Sequence, residues 1–343
     1  MCANCAGKSG AARQGSSDRA AVAEALSRCS RLLVTTHARP DGDGLGSMLA
    51  LHLAAAGAGK DSTMLVPDAI PLRYAFLFEP QQPAPAERFV ELADRADLVV
   101  VVDTCAAAQL EPIAQHVQPR RDKLVVIDHH ITADDVAATV WRDESAAAVG
   151  VMLAELLEEM SWPIGPAAAE ALMTAVCTDT GWLHYPNTDA RALAAVGKLI
   201  QAGARPDVLY ARIYQGDRPQ RFRLLAAAMS SLELHADGRL AVITLTGEDF
   251  ARTGARPDET EDIVNEPMRI GTVEVCGLLV AQADGVTRVS LRSRRQVDVA
   301  AIAGRFGGGG HARAAGYRDK DAIPGAARRL IAACTQALSR TQG

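Results

Sequence analysis

Aromatic side chains are scarce in this 343-residue sequence. Six Phe, three Trp and five Tyr make up 4% of the chain, which argues against a long stacking platform for single-stranded nucleic acid. Basic charge is not in excess either. Formal net charge is −5, so nothing global points to a nucleic-acid coat or a membrane surface, and a polyanionic substrate must be held by local cations or metals. No segment has the unbroken apolar length of a membrane span, and the opening "MCANCAGKSGAARQGSSDRA" lacks the apolar core of a secretory leader. The expectation is a flexible tail on a cytoplasmic protein. The seven cysteines (2, 5, 29, 105, 177, 276 and 334) are odd in number and scattered, unlike a disulfide framework. Cys2 and Cys5 form a single C-x-x-C, which is half of a zinc site.

At 48% hydrophobic and 22% charged, the chain has the composition of a globular protein, long enough for about two domains. Its first half alternates short, continuously apolar runs with helix-like ones. "RLLVT" (31–35) precedes a helix near 46–56, and "DLVVVVDT" (97–104) precedes "CAAAQLEPIAQHV". "KLVVIDHH" (123–130) precedes the helix "AAVGVMLAELLEEM" (147–160). That alternation predicts an α/β fold with a parallel sheet covered on both faces. Residues 189–234 read as amphipathic helices and are expected to form a connector. Beyond them, "SLELHADGRLAVITL" and "VEVCGLLVAQADGVTRVSLRS" read as strand, Asp-Gly turn, strand. A helix capped by Asp298 follows, then "GGGGHARAAG", then a helix from about 322. The expected organisation is a tail (1–20), a catalytic α/β domain (21–188), the helical connector (189–234) and a smaller α/β domain with hairpins (235–343).

The stretch "THARPDGDGLGS" (36–47) sets His37, Asp41 and Asp43 among three glycines. An EF-hand count from Asp41 places Leu45 at position 5 and His52 at position 12, where oxygen ligands are required, so that reading fails. Glycines at 42, 44 and 46 do not make G-x-G-x-x-G, and two carboxylates would repel a pyrophosphate. A metal site gains from the rest of the domain: Asp103 closes "VVVVDT", Asp128, His129 and His130 close "LVVIDHH", and "VCTDTG", at the end of the helix-like run "GPAAAEALMTAVCTD", supplies Asp179. Each Asp alone reads as a helix cap or a polar turn. Together they fall where the loops of an open parallel sheet converge. Four carboxylates in one crevice repel one another, and two divalent cations would cancel that charge. Oxygen and imidazole donors without thiolate favour manganese or magnesium over structural zinc.

These segments resemble the motifs of the DHH phosphoesterase family: "HARPDGDGLGS" the first, "VVDT" the second, "DHH" the motif that names it and "TDTG" the fourth. "VSLRSRRQVDVAAIAGRFGGGGHARAAG" is similar to the family's DHH-associated domain with its GGGH motif. The likeness spans about 30 to 340, and is strongest to the branch that combines oligoribonuclease with 3′-phosphoadenosine 5′-phosphate (PAP) phosphatase activity. It implies that His37 and Asp41 bind one cation, that Asp43, His129 and Asp179 bind a second, and that Asp103 bridges them. Two departures stand out: Gly44, where alanine is more usual, and His184 in "GWLHYPNT".

The chemistry so implied is attack by a metal-activated water with no covalent enzyme intermediate. His130 would contact a phosphoryl oxygen or protonate the leaving group, with Asp128 orienting a histidine. In the second domain Gly308, Gly309, Gly310, His311 and Arg313 would form an anion nest. Arg292 and Arg294, placed on one strand face by alternation, would pair with a terminal phosphate. The gap between the domains would limit substrates to short ones. Substrates are then short 5′-phosphorylated RNA or PAP, and relatives suggest a homodimer without membrane attachment. The alternatives are a cyclic-di-AMP or linear dinucleotide phosphodiesterase, a family II-like inorganic pyrophosphatase, and a non-catalytic nucleotide-binding regulator that would be expected to have lost ligands.

Overall fold

A computed structural model describes residues 8–79, 81–131 and 134–340. Cys2 and Cys5 lie outside these. Contacts divide the chain into two units, Met1–Gly216 and Asp217–Gly343.

The first unit carries strands β1 (Arg31–Thr35), β2 (Asp61–Val66), β3 (Ala84–Pro85), β4 (Leu98–Val102), β5 (Leu124–Asp128) and β6 (Thr139–Arg142). They form one sheet in the order β3-β2-β1-β4-β5-β6, and every pairing is parallel. The chain winds outward from β1 in one direction and from β4 in the other, so the order reverses between these two strands. Their carboxyl ends splay there and open a crevice. Helices α1 (Lys8–Arg28), α2 (Gly42–Gly57), α3 (Phe89–Arg95), α4 (Ala114–Val117), α5 (Val149–Glu159), α6 (Pro166–Asp179), α7 (Ala190–Gln201) and α8 (Pro206–Tyr214) complete the unit.

Continuous apolar runs in the strands are explained by burial on both faces. On β4, Leu98, Val100 and Val102 join the core under α2, α5 and α6, while Val99 and Val101 join Phe89, Ala93 and Val117 on the opposite face. Helix α2 crosses α6 so closely that a Cβ on Gly46 would collide with the Ala171 carbonyl and come within 2.9 Å of the Ala175 nitrogen.

The second unit adds α9 (Pro219–Ser230), β7 (Glu233–His235), β8 (Leu240–Leu245), α10 (Gly247–Thr253), β9 (Val275–Ala281), β10 (Thr287–Ser293), α11 (Val299–Gly304), β11 (Gly309–His311), β12 (Ala314–Asp319) and α12 (Ile323–Ser339). Its sheet runs β11-β12-β10-β9-β8-β7 and is mixed, with β8 and β9 parallel. Both Asp-Gly hairpins form as expected, at β7–β8 and β9–β10. Asp298 caps α11 through the Ala301 amide at 3.0 Å.

Several expectations need correction. Residues 8–20, read as tail, begin α1. The run 105–117 is not one helix: Pro112 interrupts it, leaving a 3-10 turn at Ala107–Leu110 and the short α4. The segment 189–234 is largely helical, as expected, with α7 and α8 in the first unit and α9 in the second. The sequence reading does not include β2, whose first half is the polar run Asp61–Ser62–Thr63, or the short edge strands β3 and β6.

Candidate active site

The glycine-rich stretch is mostly helix. Asp41 is the N-cap of α2, its Oδ1 accepting from the amides of Asp43 (3.0 Å) and Gly44 (3.1 Å). Four such amides are orphaned at any helix start, and an Asp cap satisfies two of them here. Gly42, Gly44 and Gly46 all lie inside α2, and none has a left-handed backbone. They are small because neighbours come close. A Cβ on Gly44 would collide with Thr36 Oγ1 and lie 2.9 Å from His37 Nε2, and one on Gly42 would collide with Thr178. They make room for the site and do not turn the chain.

His37 follows β1, and its Nδ1–H donates to the Ala38 carbonyl at 3.0 Å, a partner that can only accept. Nε2 is therefore presented to Asp103 Oδ2 (3.4 Å) and Asp41 Oδ1 (3.6 Å). Burial works to lower the His37 pKa, but the two carboxylates overcome it and push it up to about 11. This corner of the crevice demands positive charge.

Asp103, just past β4, is 2% exposed and has a left-handed backbone (φ 67°). Aspartate is among the few types that adopt this conformation, at a cost of about 1–2 kcal/mol. The turn aims its two oxygens in different directions: Oδ2 at His37, and Oδ1 at His129 Nε2 (3.6 Å) and His130 Nδ1 (3.7 Å). Burial and the nearby Asp43 charge push Asp103 well above the usual carboxylate range.

His129 mirrors His37. Its Nδ1–H donates to the Ala146 carbonyl at 3.0 Å, leaving Nε2 3.4 Å from Asp179 Oδ2 and 3.9 Å from Asp43 Oδ2. Asp43 is fully buried and accepts from the Val149 and Gly150 amides at the start of α5 (2.7 and 2.9 Å) and from Ser47 Oγ. Asp179 is the last residue of α6. Burial and the Asp43 charge raise its pKa to about 7. After it, Gly181, Trp182 and Leu183 are successively left-handed (φ 55°, 58° and 68°).

Asp128 Oδ1 gathers the amides of His129 and His130 and the Nδ1–H of His130 at 2.8 Å. That hydrogen bond raises the His130 pKa. The structure thus places Asp128 beneath His130.

Among the described residues three groups have donor atoms within 4.8 Å of one another: His37–Asp41–Asp103, Asp43–His129–Asp179, and Asp103–His129–His130, which shares a member with each of the other two. Neighbouring ligands of an octahedral ion with bonds of ~2.1 Å are about 3 Å apart, so separations of 3.4–3.9 Å suit such an ion. Asp103 Oδ1 and His129 Nε2 are buried with no hydrogen-bond partner, as expected of atoms that serve a cation. The residues fit two divalent ions.

The second unit treats the expected anion residues unequally. Gly309, Gly310 and His311 form β11 and pair with β12. The amides of Gly307 and Gly308 are spent on carbonyls at the end of α11, at 3.1 and 3.0 Å, so they cannot line a nest. Gly308 and Gly310 are required by packing, since a Cβ on either would strike the β12 backbone. Arg294 donates to the carbonyls of Met268, Ile270 and Gly271; it is a structural clasp, and its pairing with a phosphate is not supported. Arg313 is tied to Val297 O at 2.9 Å. Among the described residues, Arg292 hydrogen-bonds only its neighbour's carbonyl, Leu291 O. It shares its sheet face with Arg288, Ser290, Gly309, Gly316 and Arg318 by register. Arg288, Ser290 and Arg318 drew no attention in the sequence; strand alternation was the signal that could have found them.

A doubly wound parallel domain with this donor set at its switch point defines a metal-dependent hydrolase of phosphoester bonds. The chain belongs to the DHH family: the DHH family N-terminal domain matches residues 31–176 and the DHHA1 domain matches 237–340. It is 30% identical to a Thermus thermophilus protein named bifunctional oligoribonuclease and PAP phosphatase NrnA, over 90% of each chain. A Bacillus subtilis protein of the same name is 27% identical over 83% of this chain and 88% of its own. An exopolyphosphatase-related protein from Bacteroides fragilis shares the fold, with a TM-score of 0.88 and 23% identity over 93% of this chain and 95% of that one.

Proposed function

We propose that the protein hydrolyses short 5′-phosphorylated RNA and PAP at this centre, with manganese as the physiological cation and magnesium as a substitute. The observation that carries this reading is the meeting of two three-residue donor sets around Asp103, in a chain whose relatives along most of its length bear the oligoribonuclease and PAP phosphatase name. His37 and Asp41 would hold one ion, Asp43, His129 and Asp179 the other, and Asp103 both. Bound ions supply Lewis-acid charge and lower the pKa of water.

The rest is done by the chain. The carbonyls of Ala38 and Ala146 fix the histidine tautomers, which leaves both Nε2 atoms with a lone pair to offer the cations. His130, whose Nδ1–H is held by Asp128 and whose pKa that hydrogen bond raises, would donate to a phosphoryl oxygen or to the leaving group. Arg292, Arg313 and the Gly309–His311 segment would hold the phosphate or base of the substrate. A cytoplasmic location and a homodimer complete the reading; no helix among the described residues is long and apolar enough to cross a membrane.

The test is a side-by-side assay with manganese, offering PAP, short 5′-phosphorylated RNAs of increasing length, cyclic di-AMP and pyrophosphate. Turnover of PAP and of the shortest RNAs is expected. Hydrolysis of pyrophosphate alone, or of cyclic di-AMP in strong preference, overturns the reading.

A further inference from the structure

We infer that Asn187 is a positioning residue of the second cation site, acting by locking together the two segments that carry its ligands; this rests on the two-cation reading above. The second set draws its ligands from places far apart in sequence. Asp179 ends α6, whereas His129 and Asp43 are both set by the loop leading into α5. That loop and the first turn of α5, residues 143–150 together, present the Ala146 carbonyl to His129 Nδ1 and the Val149 and Gly150 amides to Asp43.

The Asn187 side-chain amide donates to Ala147 O and to Asp179 O, both at 3.1 Å. Ala147 lies between the residue that orients His129 and those that hold Asp43. Asp179 O belongs to the ligand residue itself. One NH2 group therefore bridges the two halves of the site.

The chain between these points is built to bring Asn187 back. Three left-handed residues, Gly181, Trp182 and Leu183, reverse its direction. The Tyr185 amide then bonds Thr180 O at 3.0 Å and the Leu183 amide bonds Thr180 Oγ1 at 3.2 Å. Two residues after Asn187, Asp189 caps α7 through the Ala192 amide at 2.8 Å, which fixes the far end. Bulky residues are rarely left-handed, and such conformations persist where surrounding contacts over-determine them, often beside functional sites. Asn187 touches neither ligand atom; it sets where they stand.

Two variants separate this role from packing. Asn187→Ala removes the donor, while Asn187→Asp keeps the shape but offers oxygens to two carbonyls that cannot donate. Manganese binding to metal-free protein is followed by electron paramagnetic resonance of the free ion, alongside thermal melting without metal. Wild type is expected to bind two ions. Both variants should bind one ion as wild type does and the other about 10–100-fold more weakly, with metal-free melting unchanged. If both variants bind two ions with wild-type affinity, the inference is wrong. It is equally wrong if both sites weaken together with a drop in metal-free melting, because Asn187 would then be a general structural support. A wild type that fails to bind two ions would overturn the underlying two-cation reading instead.

Discussion

The Nε2 of His37 lies 3.4 Å from Oδ2 of Asp103, across the boundary between β1 and β4 where the strand order reverses. That one contact joins two sequence motifs 66 residues apart (103 less 37). The left-handed backbone of Asp103 leaves its second oxygen facing His129, as the proposed bridging role requires.

Asp103→Asn should separate activity from stability. With the shared carboxylate gone, turnover of every substrate should fall by roughly 10³-fold, equivalent to several kcal/mol of lost charge stabilisation. Metal content measured by atomic spectroscopy should fall with it. The metal-free variant should melt higher than metal-free wild type, because a buried carboxylate facing Asp43 is removed. Wild-type metal content would contradict the bridging role.

Asp179 predicts the pH response of the metal-free protein. Its folded pKa, about 7, lies above an ordinary value of about 3.9, so the folded state holds the proton more tightly. The stability this adds is complete below pH ~4 and is lost as pH rises through ~7. Melting temperature in chelator should accordingly decline across that window, and Asp179→Asn should flatten the decline. Manganese should reverse it at the upper end, where the carboxylates are free to bind. A decline that Asp179→Asn leaves intact would assign it to other groups.

Two glycines in helices should respond in opposite ways. Gly46→Ala forces a Cβ against the α6 backbone and should cost about 1–3 kcal/mol, loosening the helices that carry Asp43 and Asp179. Gly197, in α7, faces open space; Gly197→Ala should stabilise by about 0.5–1 kcal/mol. Urea denaturation of both variants measures the pair.

In the second unit, Arg292 and Arg294 should part company. Arg294→Ala frees three backbone carbonyls and should lower the melting temperature with little change in KM. Arg292→Ala should leave melting unchanged and raise KM for RNA and PAP about tenfold, the worth of one charge-assisted hydrogen bond. Equal KM values for Arg292→Ala and wild type would remove Arg292 from the substrate site.

Much of this protein is legible in its sequence. "RLLVT", "LVVVV" and "LVVID" are apolar on both faces, and only a strand buried in a parallel sheet needs that pattern. His37, Asp41, Asp43, Asp103, His129 and Asp179 are legible as candidate ligands only together: each Asp alone reads as a cap or a polar turn, but the segments fall where the loops of an open parallel sheet converge. What the sequence left undecided depends on contacts between distant segments. The glycines of residues 42–46 are spacers inside α2, because the atoms they admit belong to Thr178, Ala171 and the His37 ring. Arg292 and Arg294 have the same pattern value, yet one is open and the other is clasped by carbonyls from residues 268–271. Composition and periodicity fix which residues face a sheet and where its strands end, because those follow from local burial. Which backbone groups hold each ligand in place is decided by the tertiary fold, because a hydrogen bond such as that from Asn187 to Ala147 exists only once α5, α6 and the loops between them have packed.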